Sequence, residues 1–258
     1  MPFTISHAAA ALPLHRWSKA RLPLAALMIG SMAPDFSYFM PGDPGRIVTH
    51  SIAGLFQYCL PASFVVWLLF VWVLERPTIA LLPDSWRSRF ARSSRQLTLA
   101  NLALVCGAIL LGGLTHLVWD SFTHRGTAVT HAIPALHGVA FVIDGHRVRW
   151  FAVLQLLSSV FGLVVLALWA LMQRGGAAPE SFPPVSHALR LAAALLVVGG
   201  TTVGAATGYL LHAELSLQAR AFFLAIGGMT GGALAWLAIA LAMHWRMRKA
   251  ATAPSSRA

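Results

Sequence analysis

The sequence predicts an all-α fold, a polytopic membrane helix bundle of about five transmembrane helices with a short N-terminal helical region. Two observations carry this reading. Hydrophobic residues make up 57% of the chain and charged residues only 10%, with a mean hydropathy of +0.69, whereas soluble domains carry about 25% charged residues. So few charges cannot cover a surface in water, and lipid is the solvent that removes the need. The second observation is five windows free of Asp, Glu, Lys and Arg: Ile52–Leu74, Leu97–Trp119, Trp150–Met172, Leu191–Leu211 and Ala221–Trp245. Each is long enough to cross a hydrocarbon core of about 30 Å.

The first fifty residues form a separate membrane-associated segment, 1–51. Arg16, Lys19 and Arg21 precede an apolar stretch, and Ser31-Met32-Ala33 resembles a signal-peptide cleavage site. The apolar core starts late for a leader, however, and Pro34 would follow the cut. Leu22–Met32 therefore reads as a short buried or interfacial helix that stays in the protein. The bundle proper covers 52–245. Within it, Gly200, Gly204 and Gly208 share one helix face, as do Gly227 and Gly231, and small faces let helices approach closely. Arg174–Pro184 reads as a linker, and 246–258 as a basic disordered tail.

The net charge of +11 raises nucleic acid as a partner. Without a basic patch interleaved with aromatics, the charge fits cytoplasmic loops facing anionic lipid instead. The lipid bilayer is thus the expected partner. Cys59 and Cys106 fall in apolar runs and read as small hydrophobes. Lys and Arg number 8 over the 90 positions on the side of residues 1–51, 120–149 and 212–220, against 11 over 53 positions on the other. That asymmetry predicts a cytoplasmic tail and places the first side outside the cytoplasm, in the reading of a bacterial inner-membrane protein.

Nine of the eleven histidines gather on that outer side, with Asp35, Asp43, Asp120, Asp144 and Glu214. His50 precedes the first span, and His116 and Asp120 end the second, so topology brings them to one membrane face. His116 and Asp120 are four apart and share a helix face. Imidazole nitrogen and carboxylate oxygen are both ligands of zinc and similar divalent ions. Ionisable groups at membrane depth are costly unless paired or functional. His7, Asp35, His50, His116 and Asp120 are therefore the expected metal ligands. His124 and His131 are further candidates, Arg125 a candidate phosphate contact, and Thr49 and Ser51 supporting donors or a helix cap. His15, Asp43, Asp144, His146 and His187 read as surface residues.

The segments Met-Pro-Phe-Thr-Ile-Ser-His, Ile-Gly-Ser-Met-Ala-Pro-Asp-Phe-Ser-Tyr-Phe, Thr-His-Ser and Thr-His-Leu-Val-Trp-Asp-Ser-Phe-Thr-His resemble the bacterial membrane family called domain of unknown function 4184. More distantly, their order is similar to the LexA-binding, inner-membrane-associated metal-dependent hydrolases, which are grouped with zinc-dependent phospholipase C-like proteins. That resemblance falls on His7, Asp35, His50, His116 and Asp120, with Thr123 and Gly126 continuing the last motif. Ser37 stands where the hydrolases commonly carry a second acid, which favours fewer ions. The resemblance implies a membrane-embedded metal-dependent hydrolase; the site's location at one membrane face points to a phosphoester or other ester near the lipid headgroups, and Asp35, as an aspartate not fully committed to metal, is the expected proton acceptor. The alternative is a non-catalytic protein whose His/Asp site supports structure, partner binding or transport.

Overall fold

The computed structural model describes residues 3–39, 45–90, 97–143, 145–173 and 185–252. Its α-helices are α1 (Ala11–Trp17), α2 (Leu24–Met32), α3 (Arg46–Thr49), α4 (Ile52–Leu81), α5 (Asp84–Arg87), α6 (Leu99–Thr123), α7 (Ala128–Ala132), α8 (Trp150–Met172), α9 (His187–Leu210) and α10 (Leu217–Thr252). Short 3₁₀ helices cover Thr4–Ala10 and Ala33–Phe39. Five helical stretches are long and apolar enough to cross a membrane: Ile52–Leu81, Leu99–Ala132, Trp150–Met172, His187–Leu210 and Leu217–Met247. The all-α bundle is thus the observed fold, and the protein is a multi-pass membrane protein. Large side chains such as Phe161, Leu156 and Val203 stand two-thirds exposed on these helices, a surface suited to hydrocarbon rather than water.

Two compact units make up the chain. The first comprises 1–67 and 96–173. Its interior is the crossing of α2 on α6, which buries Ala26, Leu27, Val105, Ala108 and Ile109. A Cβ on Gly30 would lie 2.6 Å from the Ile109 Cα, and one on Gly112 would lie 2.7 Å from the Ser31 amide, so only glycine permits this backbone-to-backbone approach. Leu22–Met32, expected to be buried or interfacial, is therefore a buried helix. Thr4–Ala10 lies on α8 by the same device, since a Cβ on Gly162 would lie 2.6 Å from the Ser6 carbonyl. The segment after α7 holds a feature the all-α reading did not foresee: an antiparallel hairpin, β1 (Val139–Ile143) with β2 (His146–Arg149), bulged between Val139 and Phe141.

The second unit comprises 68–95 and 174–258. Here α9 and α10 pack antiparallel along glycines, Gly200 against Gly231, Gly204 against Gly227 and Gly208 against Phe223. The small-residue faces thus serve helix packing. The loop expected from Glu75 begins later, because α4 continues to Leu81 through Pro77. Proline removes the N–H that would bond to the carbonyl four residues earlier. That carbonyl belongs to Val73, and His244 Nε2 bonds to it at 3.0 Å. Trp236 adds a bond to the Thr78 hydroxyl at 2.8 Å. The tail expected from Arg246 is helical as far as Thr252. The linker at Arg174–Pro184, Asp43, Asp144 and the last six residues lie outside the described residues.

Candidate metal centre

Each candidate ligand is held by a distinct local device in the first unit. Thr98 caps α6 by accepting the Asn101 N–H, and the helix runs unbroken to Thr123, four residues beyond the expected end at Trp119. His116 and Asp120 therefore do occupy one helical face. The last turn of α2 leaves carbonyls without intrahelical partners, and the Gly30–Gly112 crossing brings that of Ser31 within 2.8 Å of His116 Nδ1. An Nδ1–H donated there leaves Nε2 as the free lone pair. Asp35 lies in the first turn of the 3₁₀ helix Ala33–Phe39, which follows directly on α2, and its Oδ2 accepts the Thr4 hydroxyl at 2.8 Å. His7 sits on Thr4–Ala10, which is anchored to α8 by Phe3 N donating to Ser159 Oγ at 2.9 Å. His50 follows α3, and its Nδ1 lies 2.9 Å from Thr49 Oγ1. Asp120 Oδ2 accepts Arg46 Nη2 at 2.8 Å.

These devices aim five side chains at one point. His50 Nε2 lies 3.6 Å from Asp35 Oδ1 and 3.4 Å from Asp120 Oδ2. His116 Nε2 lies 3.7 Å from Asp35 Oδ1 and 3.5 Å from Asp120 Oδ2, and His7 Nε2 lies 3.6 Å from Asp120 Oδ1. The His7 and His116 rings stack at 3.8 Å. Such separations are mostly too long for hydrogen bonds. They match the edges of a tetrahedron around a metal bonded at about 2.1 Å, roughly 3.4 Å apart. His7, Asp35 and His116 form one group able to hold an ion, and His50, His116 and Asp120 another. Both groups use the single lone pair of His116 Nε2, so they describe one ion position or two exclusive ones.

Burial sharpens the point. His116 is fully buried, and Asp35 and Asp120 are 1% and 4% exposed. Yet His7 Nε2, Asp35 Oδ1, His50 Nε2, His116 Nε2 and Asp120 Oδ1 are buried atoms with no hydrogen-bond partner among the described residues. An unsatisfied buried polar group costs about 1–3 kcal/mol, and native structures rarely keep several together. A cation accepted by all five removes that cost.

Electrostatics outside the spans agree. Burial, reinforced by the neighbouring His116, drives His7 from 6.5 down to about 3, so the ring is neutral and ready to ligate. Burial alone would raise Asp35, but His50, His116 and the Thr4 hydroxyl outweigh it and hold the carboxyl below its usual value. Burial likewise opposes a charge on His50, but Asp120 and Asp35 prevail and raise it above 6.5.

The other candidates divide. His124 borders the cluster, its Nδ1 3.4 Å from Asp120 Oδ2, and Thr123 Oγ1 lies 3.2 Å from that same nitrogen. Thr49 is buried and supports His50. Ser51 instead caps the start of α4 by accepting the Gly54 N–H. His131 is exposed and turned towards His137, and Arg125 is exposed; neither is brought to the cluster. Ser37 is buried, and its hydroxyl finds no partner among the described residues. Of the surface expectations, His146 and His187 are exposed, while His15 is half-buried and bonded to the Leu22 carbonyl. Sequence reasoning missed Thr4 and Arg46, which hold the second oxygens of the two carboxylates. Thr4 stands three residues before His7 and Arg46 four before His50, a spacing that is a usable signal only once each segment is known to be helical.

Comparison with family models matches residues 1–245 to the family described as domain of unknown function (DUF4184). Neither the comparison with curated proteins nor that with solved structures found a match.

Proposed function

The chain belongs to the DUF4184 family, and from that premise we propose that it is a membrane-embedded, metal-dependent hydrolase of an ester near the lipid headgroup layer. The observation that carries this is the convergence of five buried, unpartnered ligand atoms from four separate stretches of chain. His7, Asp35, His50, His116 and Asp120 hold one divalent ion, with zinc the choice best suited to such nitrogen and oxygen donors. When bound, the ion polarises a phosphoryl or acyl oxygen and lowers the pKa of water towards ~7.

The remaining steps belong to the chain's own residues. Thr4, Arg46, Thr49 and the Ser31 carbonyl fix the ligands, as outer groups do in metal sites generally. Asp35 and His116 close the inner side. The cluster opens towards Arg46, whose side chain is 35% exposed, and His124, at 15%. That opening favours catalysis over a closed structural site. It also moves the proton-accepting role from Asp35, which is sealed in, to His124. There Nδ1 lies against the Asp120 carbonyl and carboxylate, on the side of the cluster, and Nε2 lies near the Gln155 amide. As water adds to the ester, His124 takes its proton and returns it to the leaving alcohol oxygen as the ester bond breaks.

The basic asymmetry of the loops supports an orientation in a bacterial cytoplasmic membrane with the cluster outside and the C-terminus inside. Metal analysis of detergent-purified protein tests the reading. The wild type is expected to carry about one ion per chain, lost in both His116→Ala and Asp120→Ala. Metal-free wild-type protein would sink the proposal, and bound metal without hydrolysis of any ester would reduce the site to a structural one.

A further inference from the structure

The hairpin of β1 and β2 takes no part in the metal centre, and its surface needs a cover. A two-stranded sheet standing alone is marginal in water. This one also leaves Phe141, Val142 and Ile143 half-exposed, and an exposed apolar edge strand in water is an aggregation site. The register sorts these residues. Cross-strand partners share a face of the sheet; Phe141 pairs with Val148, Ile143 with His146 and Val142 with Arg147. One face therefore carries Phe141, Val148 and Ile143, with His146 beside Ile143. The other carries Val142 and the exposed Arg147. An apolar face backed by a basic one suits an element lying in the plane of a membrane surface, as in interfacial amphipathic helices.

The hairpin is also tied to the membrane boundary. β2 runs into the membrane-spanning α8 with no residue between them. Trp150, the first residue of α8, donates its N–H to the Gly138 carbonyl at 3.1 Å and so closes the hairpin base on the span. Trp150 is exposed, as is Trp119 near the end of α6 from which the chain leads to this hairpin. Exposed tryptophans at span ends mark the level where hydrocarbon meets headgroups. We infer that β1 and β2 form an interfacial anchor. Its Phe141, Ile143 and Val148 face is immersed at the headgroup–acyl boundary, and Arg147 is held against lipid phosphate, which guanidinium matches in charge and geometry. The partner is the phospholipid surface itself, independent of the metal centre and of any reaction there. Arg149 is not available for that contact, because its Nη1 donates to the His137 carbonyl at 2.8 Å. Asp144, which follows Ile143 in the sequence, and exposed His146 limit the depth: charged and polar groups are costly in hydrocarbon, so the tip stays among the headgroups.

The test uses the full-length chain in vesicles of phosphatidylcholine and phosphatidylglycerol. Cys106→Ala removes the more accessible thiol, Cys59 is buried and stays, and a nitroxide is attached at Phe141→Cys, Val142→Cys or Ile143→Cys, one at a time. Circular dichroism checks the helix content of each chain. Relaxation by oxygen, which collects in hydrocarbon, and by a water-soluble nickel chelate gives the depth of each label, calibrated with spin-labelled lipids. Labels at 141 and 143 should lie roughly 5–10 Å below the phosphates, with the label at 142 shallower. Adding Ile143→Asp or Arg147→Glu to the Phe141→Cys chain should raise its label towards water without loss of helix. Labels at 141 and 143 above the phosphates and open to nickel would overturn the anchor. So would labels reached by neither reagent, with spin–spin broadening that vanishes on dilution with unlabelled chain, since a second copy would then cover the face.

Discussion

At the scale of single residues, the site is governed by what each polar atom has as its alternative to metal. Asp35 illustrates this: one oxygen is occupied by Thr4 and the other is left bare. Thr4→Val keeps the shape but removes the donor, so Asp35 becomes less well oriented. Metal affinity should fall about 10- to 100-fold, as read by competition with a chelator. The pH dependence follows from His50. Burial opposes its charge, but the carboxylates prevail and raise its pKa above 6.5, so in the metal-free protein the ring holds its proton to higher pH than a free imidazole, and an ion must displace it. Metal affinity is then full above that pKa and falls by about tenfold per unit as pH drops below it. His7, neutral down to about 3, adds no step in that range. Titration calorimetry in buffers of different ionisation enthalpy should record close to one proton released per ion at pH 6.

At the scale of elements, the centre depends on backbones meeting where glycine stands. Gly112 lets α6 lie against the end of α2, and that contact alone brings the Ser31 carbonyl to His116. Gly112→Leu should therefore act twice. It overpacks the crossing, at a cost of about 1–3 kcal/mol or more, and it withdraws the group that sets the His116 tautomer. A lower thermal midpoint in detergent together with lost metal is expected, whereas Gly107→Leu, with open space around its Cβ position, should change neither. The His116/Asp120 pairing could be read from spacing, because four residues on a helix determine a face. The participation of Arg46 could not, because four residues before His50 is meaningless until α3 exists as a helix. Nor could the hairpin at Val139–Arg149 be read, since its strands are short and mostly exposed and carry little apolar alternation.

At the scale of the whole molecule, five spans and an uneven basic charge predict an orientation that labelling can test. His131 is exposed and belongs to the side read as outside the cytoplasm, which makes it a reporter. In a His131→Cys chain, a membrane-impermeant maleimide should label intact cells, while Ser186→Cys, exposed at the opposite end of its span, should label only after lysis. The reverse pattern would invert the topology.

Hydropathy alone determined the lipid-embedded helical class and the number of spans, because burial in hydrocarbon demands long apolar windows and leaves polar residues few places to go. Only tertiary structure decided which histidines point at one another. Whether an imidazole ligates or merely faces solvent depends on distances of tenths of an ångström. Those are set by close backbone crossings at Gly30, Gly112 and Gly162, between residues that lie far apart along the chain.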